Sequence, residues 1–242
     1  LDINAHLGRL AIRNDDSRRA LEYFQKQVKC RPESIEGYRQ LGQLYYVQSL
    51  FVQAEEIFRH ALTVTPEDTA CLIGLGKVLG KLGKFEEAIA LLQSVTVTGS
   101  SMVLARRELA SVFFHAGQYS QAVELLKALT ASADSEPELL NDLGNALLKL
   151  GKVGEAVDTY QRVLQLPAPP NIAWRNLGVA YNNSGDYDRA THAFETYLQH
   201  EPNSPDILRV LADLHMSGRR FDRALGFLEQ FLKTNPVDAA VM

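Results

Sequence analysis

Histidine and cysteine are the residue types in this sequence whose spacing could support metal or nucleophile chemistry. The six histidines form no H-E-x-x-H motif, and His192 and His200 lie too far apart along a helix to ligate one metal ion together. Cys30 and Cys71 form no C-x-x-C pair, so neither a disulfide framework nor a zinc ribbon is indicated. We therefore predict no catalytic residue, no metal site and no cofactor, and we predict that this segment is not an enzyme.

Three glycines, Gly74, Gly76 and Gly80, superficially resemble a phosphate-binding loop. The G-x-G-x-x-G pattern fails because Leu79 occupies the third glycine position, and no strand precedes the stretch. The apolar residues around these glycines follow a helical period instead. We interpret Gly76 as a packing glycine, and we expect Gly74 and Gly80 to leave part of a surface with little side chain.

Composition excludes two further classes. The chain has 242 residues, 46% of them hydrophobic, and a formal net charge of −4, whereas a general nucleic-acid binder usually carries a basic excess. No run of about eighteen apolar residues is present, so no membrane insertion is expected in this segment. The compartment stays open, with the cytoplasm as the default and the periplasm as the alternative.

A 34-residue period organises the whole sequence. The pair Leu-Gly or Leu-Ala recurs seven times, and each copy has an alanine twelve residues after that glycine or alanine. The recurring leucines are Leu7, Leu41, Leu75, Leu109, Leu143, Leu177 and Leu211, and the recurring alanines are Ala20, Ala54, Ala88, Ala122, Ala156, Ala190 and Ala224. Four residues after each alanine stands Phe, Tyr or Leu.

The repeated residues predict two antiparallel helices in each copy. A small residue after leucine allows close helix approach, and Gly83, Gly117, Gly151 and Gly185 fall where the first helix must turn through a left-handed conformation. Proline closes several second helices because it cannot continue them. In the third copy the second helix runs into the β-branched run Val95-Thr96-Val97-Thr98 without a proline, and we expect the helix to fray near there.

This arrangement of leucine, glycine, aromatic, alanine and proline resembles the tetratricopeptide repeat. The resemblance covers the whole chain and implies an all-α, right-handed superhelical solenoid of about fourteen helices. The implied copies are 1–34, 35–68, 69–102, 103–136, 137–170, 171–204 and 205–238, and 239–242 would begin a further helix. We expect one continuous solenoid, 1–242, and a fragment of a longer protein.

The resemblance also implies a function, because members of this family are mostly scaffolds that hold a peptide or helix in a groove lined by first helices. In copies one to four the implied groove positions hold more cations than acids, which would suit a partner with acidic and apolar residues. The predicted partner-binding residues are Arg9, Arg13, Arg39, Gln43, Tyr46, Lys77, Lys81, Arg107, Phe114, Asn145, Arg175, Asn176 and Arg209.

Family-specific peptide sites are matched only in part. Asn145 and Asn176 stand at two positions of the clamp by which some tetratricopeptide domains hold the terminal carboxylate of heat-shock chaperones. Asn141, Asp206 and Val210 replace its cations, so we do not expect that clamp. Trp174 is interpreted as packing, because it falls where other copies place Tyr38 or leucine.

Three alternatives stay open from the sequence. The groove cations could be ordinary solvated residues, some of them paired within the chain. The protein could be a self-assembling scaffold, a homo-oligomer formed through exposed repeat ends, because Leu225, Phe227 and their apolar neighbours end the last copy. It could also be the substrate-recruiting arm of an enzyme whose catalytic domain lies elsewhere.

Overall fold

The computed structural model describes residues 2–95, 100–131 and 136–234 of the chain. Within these residues the chain forms fourteen α-helices and no strand. The helices are α1 (Ile3–Arg13), α2 (Ser17–Cys30), α3 (Ile35–Val47), α4 (Phe51–Val64), α5 (Thr69–Lys81), α6 (Phe85–Ser94), α7 (Ser100–His115), α8 (Tyr119–Leu129), α9 (Pro137–Lys149), α10 (Val153–Leu164), α11 (Ile172–Asn183), α12 (Tyr187–His200), α13 (Pro205–Ser217) and α14 (Phe221–Thr234). The all-α fold class predicted from the sequence is confirmed.

The helices form hairpins of one odd-numbered first helix and one even-numbered second helix, and the chain divides into two compact units. Unit 1 is Leu1–Leu125 and unit 2 is Leu126–Met242, so the boundary falls within α8. Within each unit a second helix also contacts the first helix of the next hairpin, as α4 contacts α5 and α10 contacts α11. One continuous solenoid across all copies stays a prediction, and the helix predicted to begin at 239–242 lies outside the described residues.

Local sequence signals account for the helix ends. Asp2, Asp16, Asp68 and Asp186 each cap a helix by accepting a hydrogen bond from a backbone N–H in its first turn. The α6 helix ends at Ser94, ahead of the β-branched run. Residues 96–99 of that run lie outside the described residues.

The turn between the two helices of every hairpin contains one left-handed residue. Gly83, Gly117, Gly151 and Gly185 have φ between 74° and 80°, which confirms the prediction made for these four glycines. The equivalent positions in the other three hairpins are occupied by Asp15, Ser49 and Arg219, with φ between 54° and 60°. The backbone therefore adopts the same turn whether or not the sequence supplies glycine.

Packing inside a hairpin depends on the repeated glycine of the first helix. A Cβ atom built on Gly178 would lie 2.6 Å from the Phe194 ring of the second helix, and one on Gly144 would lie 2.5 Å from the Tyr160 ring. Gly8, Gly42 and Gly76 meet Phe24, Phe58 and Leu92 in the same way. The repeated second-helix alanines are all at most 1% exposed. Small residues on both helices thus let a large side chain lie across the hairpin.

We predict that Gly178→Ala destabilises unit 2 by about 1–3 kcal/mol, because its methyl group would overlap the buried Phe194 ring. Gly154→Ala is the matched control, since a Cβ atom there has no neighbour within 4 Å and Gly154 also lies in a helix. The control should be neutral or stabilising by up to about 1 kcal/mol. Urea denaturation followed by helical circular dichroism measures both changes, and equal losses would contradict the packing role of Gly178.

Candidate functional site

The cationic residues predicted to bind a partner in copies one to four all lie on the first helices of unit 1. Helices α3, α5 and α7 contact one another in sequence, so their outward residues form one surface. Helix α1 adjoins this surface through Arg9, which lies 4.0 Å from Glu36 of α3. We call the surface formed by α1, α3, α5 and α7 the first-helix face of unit 1. Gln43 is exposed on it, and Arg107 and Phe114 are half-buried.

Arg39 is held by an acidic residue that sequence reasoning did not include. Its guanidinium donates hydrogen bonds to both carboxylate oxygens of Asp68, with 3.0 Å between Nε and Oδ1. Asp68 is only 7% exposed and also caps α5 through the backbone N–H of Cys71. Glu36 approaches Arg39 to 3.5 Å from the same helix. Arg39 therefore ties α3 to the start of α5.

Electrostatics strengthen this pair. Burial by itself raises the pKa of the Asp68 carboxyl, but the hydrogen bonds from Arg39 and from the Cys71 backbone outweigh it, so the pKa lies below its usual value. The hydrogen bond to Asp68 correspondingly raises the pKa of Arg39. Burial, followed by the neighbouring Asp68, raises the pKa of the Cys71 thiol to about 12, which makes Cys71 a poor nucleophile.

Two more of the predicted cations are paired with carboxylates of the next first helix. Arg9 lies 4.0 Å from Glu36, and the Lys77 ammonium lies 3.0 Å from Glu108. The Lys77 ammonium also lies 4.9 Å from the centroid of the Tyr46 ring, which is a cation–π distance. Burial raises the pKa of Tyr46, so the ring keeps its hydroxyl proton.

Other residues of the first-helix face are exposed, in contrast to the paired cations described above. Arg13, Val47, Lys81 and His115 are the equivalent residues near the C-terminal ends of α1, α3, α5 and α7, and all four are exposed. Val47 is 67% exposed, and no carboxylate of the described residues pairs with Arg13 or Lys81. We call these four residues the exposed row.

Gly74 and Gly80, which the sequence suggested would leave little side chain on the surface, both approach a neighbouring helix closely. A Cβ atom on Gly74 would lie 2.6 Å from the Phe58 ring, and one on Gly80 would lie 2.9 Å from Val112 Cγ2. Gly74 is needed for close packing against α4, and Gly80 packs against α7 while also lining a small pocket beside Lys77 and Lys81.

In unit 2 the predicted site residues are mostly engaged with one another or with neighbours. The Asn176 amide donates to Asn141 Oδ1 at 2.7 Å, and the Tyr160 hydroxyl donates to Asn145 Oδ1 at 2.7 Å. Arg175 donates to Asp206 at 2.7 Å. Arg209 is exposed on α13.

The residues that sequence reasoning missed are the partners of the predicted ones. Asp68 could have been found as an N-cap residue, because an aspartate directly before a helix is a recognisable start signal. Asn141 and Tyr160 carried no such signal as partners, since their contacts join residues separated by 35 and 15 positions in the chain.

No other chemistry is evident in the described part of the chain. Both cysteines are free thiols, Cys30 exposed and Cys71 buried. The described residues contain no group of three His, Cys, Asp or Glu side chains placed to hold a metal ion. None of the described helices combines the length and apolarity that crossing a membrane requires. At the end of the last hairpin, Phe221 and Leu225 are 60% and 57% exposed.

Comparison with known families identifies the repeat. Two family models, each described as tetratricopeptide repeat, match residues 73–137 and 143–215. The chain belongs to the tetratricopeptide repeat family. No curated protein matches it by sequence.

Solved structures share this tetratricopeptide fold at low identity. The type IV pilus biogenesis factor PilW superposes with a TM-score of 0.77 at 20% identity, covering 86% of this chain and 97% of its own. The C-terminal part of a repeat-containing protein from Cytophaga hutchinsonii gives 0.71 at 18% identity, covering 96% and 95%. A chain of the APC/C Cut9-Hcn1 hetero-tetramer gives 0.67 at 21% identity, covering 92% of this chain and 46% of its own. At these identities the likeness concerns the fold alone.

We predict that Asp68→Ala destabilises unit 1 by about 2–3 kcal/mol, because it removes a helix cap and leaves the Arg39 guanidinium without its buried acceptor. Asp206→Ala is the matched control, since Asp206 pairs with Arg175 at the equivalent arginine position but its side chain is 52% exposed. The control should cost less than about 1 kcal/mol. Urea denaturation measures the unfolding free energy of both variants. Equal decreases would show that the burial of Asp68 adds nothing to the stability that its ion pair provides.

The lowered pKa of Asp68 also predicts a pH dependence. The stabilisation from a carboxyl whose folded-state pKa is depressed is present above its unfolded value of about 3.9 and is lost as the pH falls through the folded value. The difference in unfolding free energy between the wild type and Asp68→Asn should therefore be constant near neutral pH and shrink on acidification. Urea titrations at a series of pH values measure it, and a difference that grows on acidification would contradict the sign.

Proposed function

We propose that this protein is an interaction scaffold whose first-helix face in unit 1 binds a peptide or helical segment of a partner through acidic and apolar residues. Membership of the tetratricopeptide repeat family supports a protein-interaction scaffold in general. The choice of face, partner chemistry and contact residues is our proposal.

The observation that carries it is the exposed row Arg13, Val47, Lys81 and His115. Two cations without carboxylate partners in the described chain stand on either side of an aliphatic side chain that is 67% exposed. Such a row offers ion pairs to carboxylates and a contact for an apolar side chain between them. Tyr46 and Phe114 lie one residue before Val47 and His115 and would extend the apolar part of the contact.

The paired cations have a different role in this proposal. Arg39 keeps Asp68 satisfied, so a partner carboxylate would have to displace a buried, doubly hydrogen-bonded acceptor to reach it. Lys77 is held between Tyr46 and Glu108, so its charge is compensated within the chain and its side chain is fixed on the face. Arg13 and Lys81 are therefore the cations proposed to meet the partner directly.

Selection of a random peptide library on the wild-type chain tests the proposal. We predict that the selected peptides are rich in acidic and apolar residues, because the face offers both kinds of contact. Their affinity should fall by about tenfold or more when Arg13→Glu and Lys81→Glu are combined. Isothermal titration calorimetry with the best peptide measures this loss.

The combined Arg18→Glu and Lys29→Glu variant is the matched control. Both residues are exposed on the second helix α2 of the same unit, so the control carries the same change of net charge on the other side of the hairpin. Its affinity should match that of the wild type. Peptides that bind all three proteins equally would place the site elsewhere and refute the proposal.

A further inference from the structure

A cavity of about 530 Å³ opens on the second-helix side of unit 2, between α10 and α12. Trp174, Leu177 and Tyr181 of α11 form its floor. Its walls are Gln161 and Leu164 of α10, Gln165 directly after α10, and Arg189, His192 and Ala193 of α12. None of the described residues that line it is acidic. We call it the Trp174 cavity.

Three of the other grooves between successive second helices are each crossed by an ion pair, whereas the α2–α4 and α6–α8 grooves carry glutamine at both equivalent positions. Lys127 and Glu155 lie 2.5 Å apart across α8 and α10, and Arg59 and Glu87 lie 2.6 Å apart across α4 and α6. Glu195 and Arg223 join α12 to α14 at 3.7 Å with the charges reversed. These three pairs occupy equivalent repeat positions, so each contains one carboxylate and one cation at the same place in the groove.

The Trp174 cavity has no such pair. Its two equivalent positions are Gln161 and Arg189, so the cation has no acid opposite it. Gln161 donates instead to the Tyr181 hydroxyl at 2.9 Å, and the Arg189 guanidinium lies 5.7 Å from the Tyr181 ring centroid. Arg189 is 70% exposed and approaches only Asp186 of its own helix, at 3.5 Å.

The groove between α2 and α4 provides a comparison, because the residue at its base is fully packed. There Gln25 donates to the Tyr45 hydroxyl at 2.9 Å, as Gln161 does to Tyr181. The residue equivalent to Trp174 is Tyr38, which is only 4% exposed and packs 5.0 Å from the His60 ring. Gln53 replaces the cation. The combination of a half-buried tryptophan with an unopposed arginine thus distinguishes the α10–α12 groove from this otherwise similar one.

We propose that the Trp174 cavity binds a partner peptide through a large apolar side chain that enters over Trp174 and an adjacent carboxylate that pairs with Arg189. The carboxylate would take the role that Glu195 takes opposite Arg223 in the following groove, where the cation also stands on the later of the two second helices. The volume suits a single side chain with its neighbouring backbone, and an apolar floor with a few polar groups at the rim is typical of small binding sites. This site is separate from the first-helix face of unit 1.

Trp174 is the one tryptophan of the sequence, so its fluorescence reports this cavity directly. The probe is the capped peptide Gly-Leu-Glu-Gly, titrated into the whole chain. The Trp174 emission should change and saturate. Peptides with Leu-Gln or Ser-Glu at the centre should bind about tenfold more weakly or worse, because each lacks one of the two contacts.

The variant Arg189→Glu tests the charge. It should lose the preference for the Leu-Glu peptide and prefer Gly-Leu-Lys-Gly. Glutamate occupies the equivalent positions of α6 and α10 as Glu87 and Glu155, but the capping residue there is lysine, whereas in α12 the new carboxylate would stand next to Asp186. The control must therefore carry the same repulsion. Arg19→Glu is the matched control, since Arg19 makes the same contacts to Asp16 as Arg189 makes to Asp186. The control should bind like the wild type.

The peptide titrations distinguish a real site from its absence. A saturating response that follows the charge at residue 189 supports the site. No saturable change of Trp174 emission, equal binding of all the peptides, or unchanged binding by Arg189→Glu would overturn it. Binding at this cavity is independent of Arg13 and Lys81, so its failure and the failure of the first-helix site are distinguishable.

Discussion

The close contact between the small residue of each first helix, glycine in five hairpins and alanine in two, and the large side chain of its second helix is the constraint on which this structure depends. With Phe194 lying 2.6 Å from where a Gly178 Cβ atom would be, the two helices of that hairpin can approach only if the position carries no side chain. This contact sets which side of each helix is buried. It thereby determines which residues of α1, α3, α5 and α7 face outward together.

Once the hairpins are placed, residues of one chemical type take different roles according to their neighbours. Arg39 ties two helices together because a buried aspartate lies within reach, whereas Lys81 extends from the same face without an acidic partner among the described residues. His215 shows the same dependence. It occupies the large-residue position of α13, is fully buried and stacks on Phe227 at 5.4 Å, so it serves as a packing residue.

The two proposed sites use different sides of the hairpins. First helices present an open row of charged and apolar side chains in unit 1, whereas second helices enclose a cavity around Trp174 in unit 2. The interpretation of Trp174 as packing therefore needs refinement, because the ring is half-buried, packs 6.5 Å from the His192 ring in an edge-on geometry and still lines an open cavity. A scaffold with both sites could contact one partner at two separate places or two partners at once.

The sequence by itself determined the helices, their pairing into hairpins and most of the buried positions, because these follow from a periodic pattern of small and apolar residues within each copy. Leu177, Ala190 and Gly185 could be assigned to core, close approach and turn without any structure. Other features could not be assigned from the sequence: the pairing of Arg39 with Asp68, the left-handed turn at Arg219 and the cavity beside Trp174. These depend on side chains that meet across neighbouring helices or on a turn imposed by the surrounding packing, and only the tertiary structure decides which residues those are.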